Sequence, residues 1–84
     1  MATWFAAPEG TAAAGPALRA ALGKGWRGET VRVCSGGECV RVVLSDWCLC
    51  RDRHGVPTII DLSDDAFRRL APLGDGVIDV RVEW

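Results

Sequence analysis

Residues 29–47 read ETVRVCSGGECVRVVLSDW, and the reading of this stretch decides how the chain folds. Its two arms, ETVRVC and CVRVVL, alternate with period two, as strands with one buried face do. Between them SGGE forms a four-residue turn with two glycines, so the arms read as an antiparallel hairpin. Val31 and Val33 share one face of the first arm, with Thr30 and Arg32 opposite. Val40, Val42 and Leu44 share a face of the second, with Arg41, Val43 and Ser45 opposite. Asp46 then ends the apolar run, and Trp47 and a C-x-C pair follow at once.

Outward from the hairpin the punctuation is dense. ATWFA (2–6) is a short aromatic strand, ended by Pro8 and Gly10. GTAAAGP (10–16) is small and reads as a flexible loop. ALRAAL (17–22) supports one or two helical turns, and Gly23, Gly25 and Gly28 forbid more. After Asp46 a loop is expected to about Pro57, and then a β-branched strand, TIID (58–61). Ser63 is placed to cap a helix over DDAFRRLAPL, with Asp64 and Asp65 at the positive end of its dipole. Phe67 and Leu70 face the core at i, i+3, and Pro72 and Gly74 end the helix. GVIDVRVEW (76–84) alternates again, with Ile78, Val80, Val82 and Trp84 on one face. Short strands with few helices predict a mainly β fold, a small closed barrel or sandwich, in a single domain over residues 1–84.

Composition narrows the function classes. The chain has 84 residues and a net charge of −1, with arginines and acidic residues interspersed. No basic stripe is present to neutralise phosphates, which argues against nucleic-acid binding. No apolar run approaches the roughly 20 residues of a membrane span. MATWFAAPEG lacks the charged and apolar regions of a signal peptide, so an exported protein would carry this stretch as its mature domain. Four cysteines in so small a domain suggest disulfides and an oxidising compartment, with a reduced zinc site as the competing explanation.

Cys34 and Cys39 flank the hairpin turn, where antiparallel neighbours meet the Cα separation of a disulfide. Cys48 and Cys50 can close only a small ring with each other. Pairing them with the hairpin tip would span roughly 30 Å of extended strand. The spacing C-x4-C-x8-C-x-C, with or without His54, also departs from the knuckles of structural zinc sites. His54 lies in polar RDRHG and reads as a solvated loop residue. Asp46, beside an indole at a strand end, has the setting of a general acid or of an ordinary turn aspartate. Asp61, in IIDLS, is a second candidate carboxylate or a residue of the approach to the helix. Trp4 and Trp47 are candidate sugar-stacking surfaces or core residues. Gly36 and Gly37 make a turn and not a phosphate cradle, because no helix follows them.

VRVVLSDWCLC, followed by IIDLSDDAFRRLAPLGDGVIDVRVE, resembles the double-psi β-barrel of the rare lipoprotein A type, which is related to expansins and barwin-like proteins. The shared pattern is a strand ending in aspartate, a variable loop, I-D-L-S, and G-x-I-x-V-x-V. ATWF and GTAAAG, with Thr11, are similar to the family's opening strand and R-T-A-S-G-like loop. The resemblance implies a six-stranded barrel with one or two short helices, whose groove meets cell-wall glycan. It implies Asp46 as the acid/base group, Asp61 as its partner, and Trp4, Thr11 and Trp47 at the substrate. In the enzyme branch the activity is that of a peptidoglycan lytic transglycosylase; in the expansin branch it is non-catalytic binding or wall loosening. Leu22 stands where the family has a histidine, and D-W-C-L where it has D-R-G-P. The expectation is an extracellular or cell-envelope monomer that needs no cofactor or metal and whose partner is peptidoglycan or a related polysaccharide.

Overall fold

The computed structural model describes residues 1–50 and 58–84. His54 and most of the expected loop before Pro57 lie outside the described residues. The elements are β1 (Ala2–Phe5), β2 (Thr11–Ala14), α1 (Pro16–Leu22), β3 (Thr30–Ser35), β4 (Glu38–Trp47), β5 (Ile60–Ser63), α2 (Asp64–Leu70) and β6 (Arg81–Glu83). Six strands form one mixed sheet in the order β1-β5-β2-β4-β3-β6. Two of its pairings, β1 with β5 and β2 with β4, are parallel. Ala2 and Ile78 exchange two backbone hydrogen bonds, of 2.8 and 3.0 Å, so the β1 end of the sheet is joined to the segment that leads into β6. The fold is mainly β, as expected.

The hairpin forms with Val31 paired to Val42 and Val33 to Val40. All four valines are buried, as their alternation requires. The turn is tighter than the sequence suggests. Ser35 and Glu38 pair, leaving only Gly36 and Gly37 at the tip, and Gly36 takes φ +59°. Cys34 and Cys39 are paired across the strands with Cα atoms 4.0 Å apart, and a disulfide joins them. Cys48 and Cys50 are also bonded to each other. All four thiols that the zinc alternative needs are therefore consumed.

GTAAAG is not a loop. Thr11–Ala14 is a strand between β5 and β4. Alanine is a weak strand former, but Ala12, Ala13 and Ala14 are at most 2% exposed, and burial within a sheet overrides propensity. At the end of this strand Gly15 donates to the Ile59 carbonyl at 2.9 Å. A Cβ built on Gly15 would stand 2.7 Å from that carbonyl oxygen, so only glycine fits.

Three other boundaries move. β4 continues through Asp46 and Trp47. β5 is Ile60–Ser63, two residues later than TIID, because Ile60 and Leu62 have the core phase. The alternating C-terminal segment contributes only Arg81–Glu83 as a strand, with Ile78 in the isolated bridge. Ser63 occupies the N-cap position of α2, but its side chain makes no capping bond. Phe67 is fully buried, and such a side chain contributes roughly 2–3 kcal/mol by leaving water.

Candidate functional site

Asp46 and Asp61 are brought to the same strand position. Ala13 on β2 pairs with Asp46 on one side and with Asp61 on the other. Asp61 pairs in turn with Thr3 on β1. The four residues form one row across the sheet, Thr3–Asp61–Ala13–Asp46, and register partners project to the same face. That face is away from the core, because Ala12, Ala14, Ile60 and Leu62 take the inward phase.

A β-bulge puts Asp46 in that row. The β2–β4 register runs Thr11↔Val43 and Ala12↔Leu44, then Ala13↔Asp46 and Ala14↔Trp47. Ser45 is passed over. Strict alternation after Val42 and Leu44 would aim Asp46 into the core; one extra residue reverses the phase. At the bulge the Ser45 carbonyl accepts from Arg27 Nη1 at 2.6 Å.

The row grades from interior to surface. Thr3 and Ala13 are covered, Asp61 is half-buried and Asp46 is exposed. Thr3 Oγ1 donates to Asp61 Oδ1 at 2.8 Å, which fixes that carboxylate. Asp46 Oδ1 accepts from the Trp47 amide at 2.8 Å and is otherwise presented to solvent. The two aspartates stand on strands separated by one other, so their Cα atoms are about 10 Å apart.

The remaining expected residues lie around this row rather than in it. Thr11 is two residues from Ala13 on the same strand, and its hydroxyl donates to the Pro8 carbonyl at 2.6 Å. Trp47 lies at the rim, 51% exposed. Trp4 is not beside Asp46: it packs against the core, and its Nε1 donates to the Leu73 carbonyl at 2.9 Å. The Cys48–Cys50 ring borders the row, with the Cys48 amide donating to the Ala14 carbonyl at 3.0 Å. Leu22 is partly buried against the core.

Sequence reading missed Arg19. Its guanidinium donates to the Ala14 carbonyl at 3.0 Å and the Cys48 carbonyl at 3.3 Å. It lies 5.4 Å from the Trp47 ring and 6.0 Å from the Trp26 ring, and Arg27 covers Trp26 at 4.7 Å. Arg19 thus ties α1 to the ends of β2 and β4 and holds Trp47 at the rim. No spacing in ALRAALGKGWRG announces this, because the partners are carbonyls from distant strands.

Asp65 does more than meet the helix dipole. Its carboxylate accepts from the Gly10 amide, at 3.1 and 3.3 Å to the two oxygens, clamping the start of β2 to α2. Its carboxyl is held below the ordinary value, first by the Ser63 hydroxyl, then, against a desolvation cost, by the Gly10 amide and its own helix amides. The Ser63 oxygen is buried and meets no partner in strict hydrogen-bond geometry, so it acts on Asp65 as a nearby dipole. Among the described residues no cluster of His, Cys, Asp and Glu could hold a metal ion, and no helix is long and apolar enough to cross a membrane.

Comparison with known proteins adds no relative: no protein-family model, no curated protein and no solved structure matches the chain.

Proposed function

We propose that this chain is a double-psi β-barrel of the rare lipoprotein A type that acts on peptidoglycan or a related cell-wall glycan, with Asp46 as the acid/base group. The observation that supports the reading most is the row Thr3–Asp61–Ala13–Asp46, which sets two carboxylates about a small side chain with the outer one open to solvent. The separation argues against double displacement by a close carboxylate pair. Paired-carboxylate hydrolysis with retention uses carboxyls about 5–5.5 Å apart, whereas these two strands are separated by a third. In the lytic transglycosylase route the acid protonates the glycosidic oxygen and the C–O bond to the leaving sugar breaks. A hydroxyl of the same sugar then closes on the anomeric carbon and returns its proton to the carboxylate. Asp61, held by Thr3, adds negative potential beside the positive charge that develops on the ring. Trp47 offers an indole face at the edge, and two disulfides fit an extracellular or cell-envelope setting.

A second reading is an expansin-like module that binds glycan without cutting it. Leu22 favours it, because an apolar side chain packed on the core stands where the family's enzymes carry a histidine. Digestion of purified sacculi separates the two. The enzyme releases anhydro-muropeptides and Asp46→Asn abolishes release. Retention on sacculi with no released product leaves the binding module, and neither retention nor release removes the glycan reading.

A further inference from the structure

The outward face of β4 continues away from Asp46. Val43 lies between Thr11 of β2 and Thr30 of β3. Two residues further on, Arg41 is opposite Arg32, and Arg32 is opposite Glu83 of β6. From Asp46 to Arg41 this strip runs roughly 15 Å at the rise of an extended strand. Its far end is a shallow hollow of about 270 Å³, bordered by Arg32, Arg41, Glu83 and Trp84.

The charge at that end is unbalanced. Arginines directly opposite on neighbouring strands repel each other. Glu83 bonds Arg32 and also lies 3.8 Å from Arg81, so one carboxylate serves two guanidinium groups. Arg41 has no acidic partner among the described residues. Trp84 is 65% exposed beside it. The chain as a whole carries −1, so this positive end is a local feature and not a general surface property. The Arg41 guanidinium presents paired N–H donors of the kind that match a carboxylate.

We propose that the hollow at Arg41 and Trp84 is a second subsite on the outer face, which takes the carboxylate substituents of an acidic glycan whose backbone passes Asp46. The inference rests on the glycan reading above and names the charge class of that glycan. Arg41 pairs with the carboxylate, Trp84 covers a sugar face, and Glu83 keeps Arg32 from occupying the anion's place.

Calorimetric titration of the full chain with two probes tests it. One is a tetrasaccharide of alternating N-acetylglucosamine and N-acetylmuramic acid with free lactyl carboxylates, and the other is neutral chitotetraose. The acidic probe is expected to bind on the order of tenfold more tightly, as a charge-assisted bond contributes. Arg41→Gln removes that preference and leaves chitotetraose affinity unchanged, while Arg41→Lys keeps part of it. Equal binding of the two probes by the native chain, or a preference that survives Arg41→Gln, overturns the subsite. If neither probe binds, the glycan reading falls separately, and the side-chain NMR signal of Arg41 is then followed against inorganic phosphate. A saturable shift keeps the hollow as an anion site, and no shift removes it.

Discussion

In the arms of the β3–β4 hairpin, over residues 30–33 and 40–45, every second residue meets water. Arg32 and Arg41 are exposed while Val31, Val33, Val40 and Val42 are buried. In β2, Ala12, Ala13 and Ala14 are all covered, and the strand lies between two neighbours of opposite direction. The hairpin takes its register locally, from a two-residue tip and a disulfide. β2 takes its register from strands far away in the chain, and from clamps such as the Gly10 amide on Asp65. A locally specified element tolerates change at its tip. One specified by crossing strands is vulnerable wherever another backbone approaches.

The two glycines at the ends of this contrast should differ most. Gly15→Ala drives a Cβ into the Ile59 carbonyl and is expected to lower unfolding free energy by about 3 kcal/mol. Gly37→Ala, at the hairpin tip with nothing within 4 Å, is expected to stay within about 0.5 kcal/mol of the native chain. Urea unfolding of both checks this, and similar values for the two would erase the distinction between local and crossing elements.

Removing the staple tests how local the hairpin is. For a five-residue separation, loop entropy predicts that Cys34→Ala with Cys39→Ala costs about 2 kcal/mol. The valine pairs should keep the fold intact, with near-native amide spectra for β1, β2 and β5. Loss of order in β2 as well would show that the two regions are not separable.

The smallest effect is expected at Asp65. Its carboxyl is held below the ordinary 3.8, so its contribution is present above that pH and is lost as pH falls through the lower folded value. Asp65→Asn is therefore expected to lower the melting temperature slightly at pH 7, with the difference from the native chain closing below about pH 4, so that the acid limb of the profile is flatter. An unchanged acid limb would mean that the Gly10 clamp carries no proton-linked stability.

The same contrast explains what the sequence disclosed. The hairpin, its disulfide and the α2 helix were legible, because period two, turn glycines and a serine before two aspartates are short-range signals. TAAA was not, since a strand covered on both faces shows no alternation and alanine suggests a loop. Asp46 and Asp61 could be named as candidates, but their shared neighbour Ala13 follows from a register that no local pattern encodes. Arg19 and Arg27 were invisible for a related reason: each bonds backbone carbonyls at points where strands distant in sequence end or bulge.

Ser45 contributes a count more than a side chain. Because the sheet reads parity, the distance in residues between Leu44 and the next carboxylate determines whether that carboxylate meets water or hydrocarbon. Almost any residue could stand at position 45 and leave Asp46 outside. Deleting it would ask the chain either to bury a charge or to slip the rest of β4 by one place, moving Trp47 and the Cys48–Cys50 ring with it. The site is thereby protected by chain length at one point, a constraint that substitution scanning would pass over and a single-residue deletion would expose.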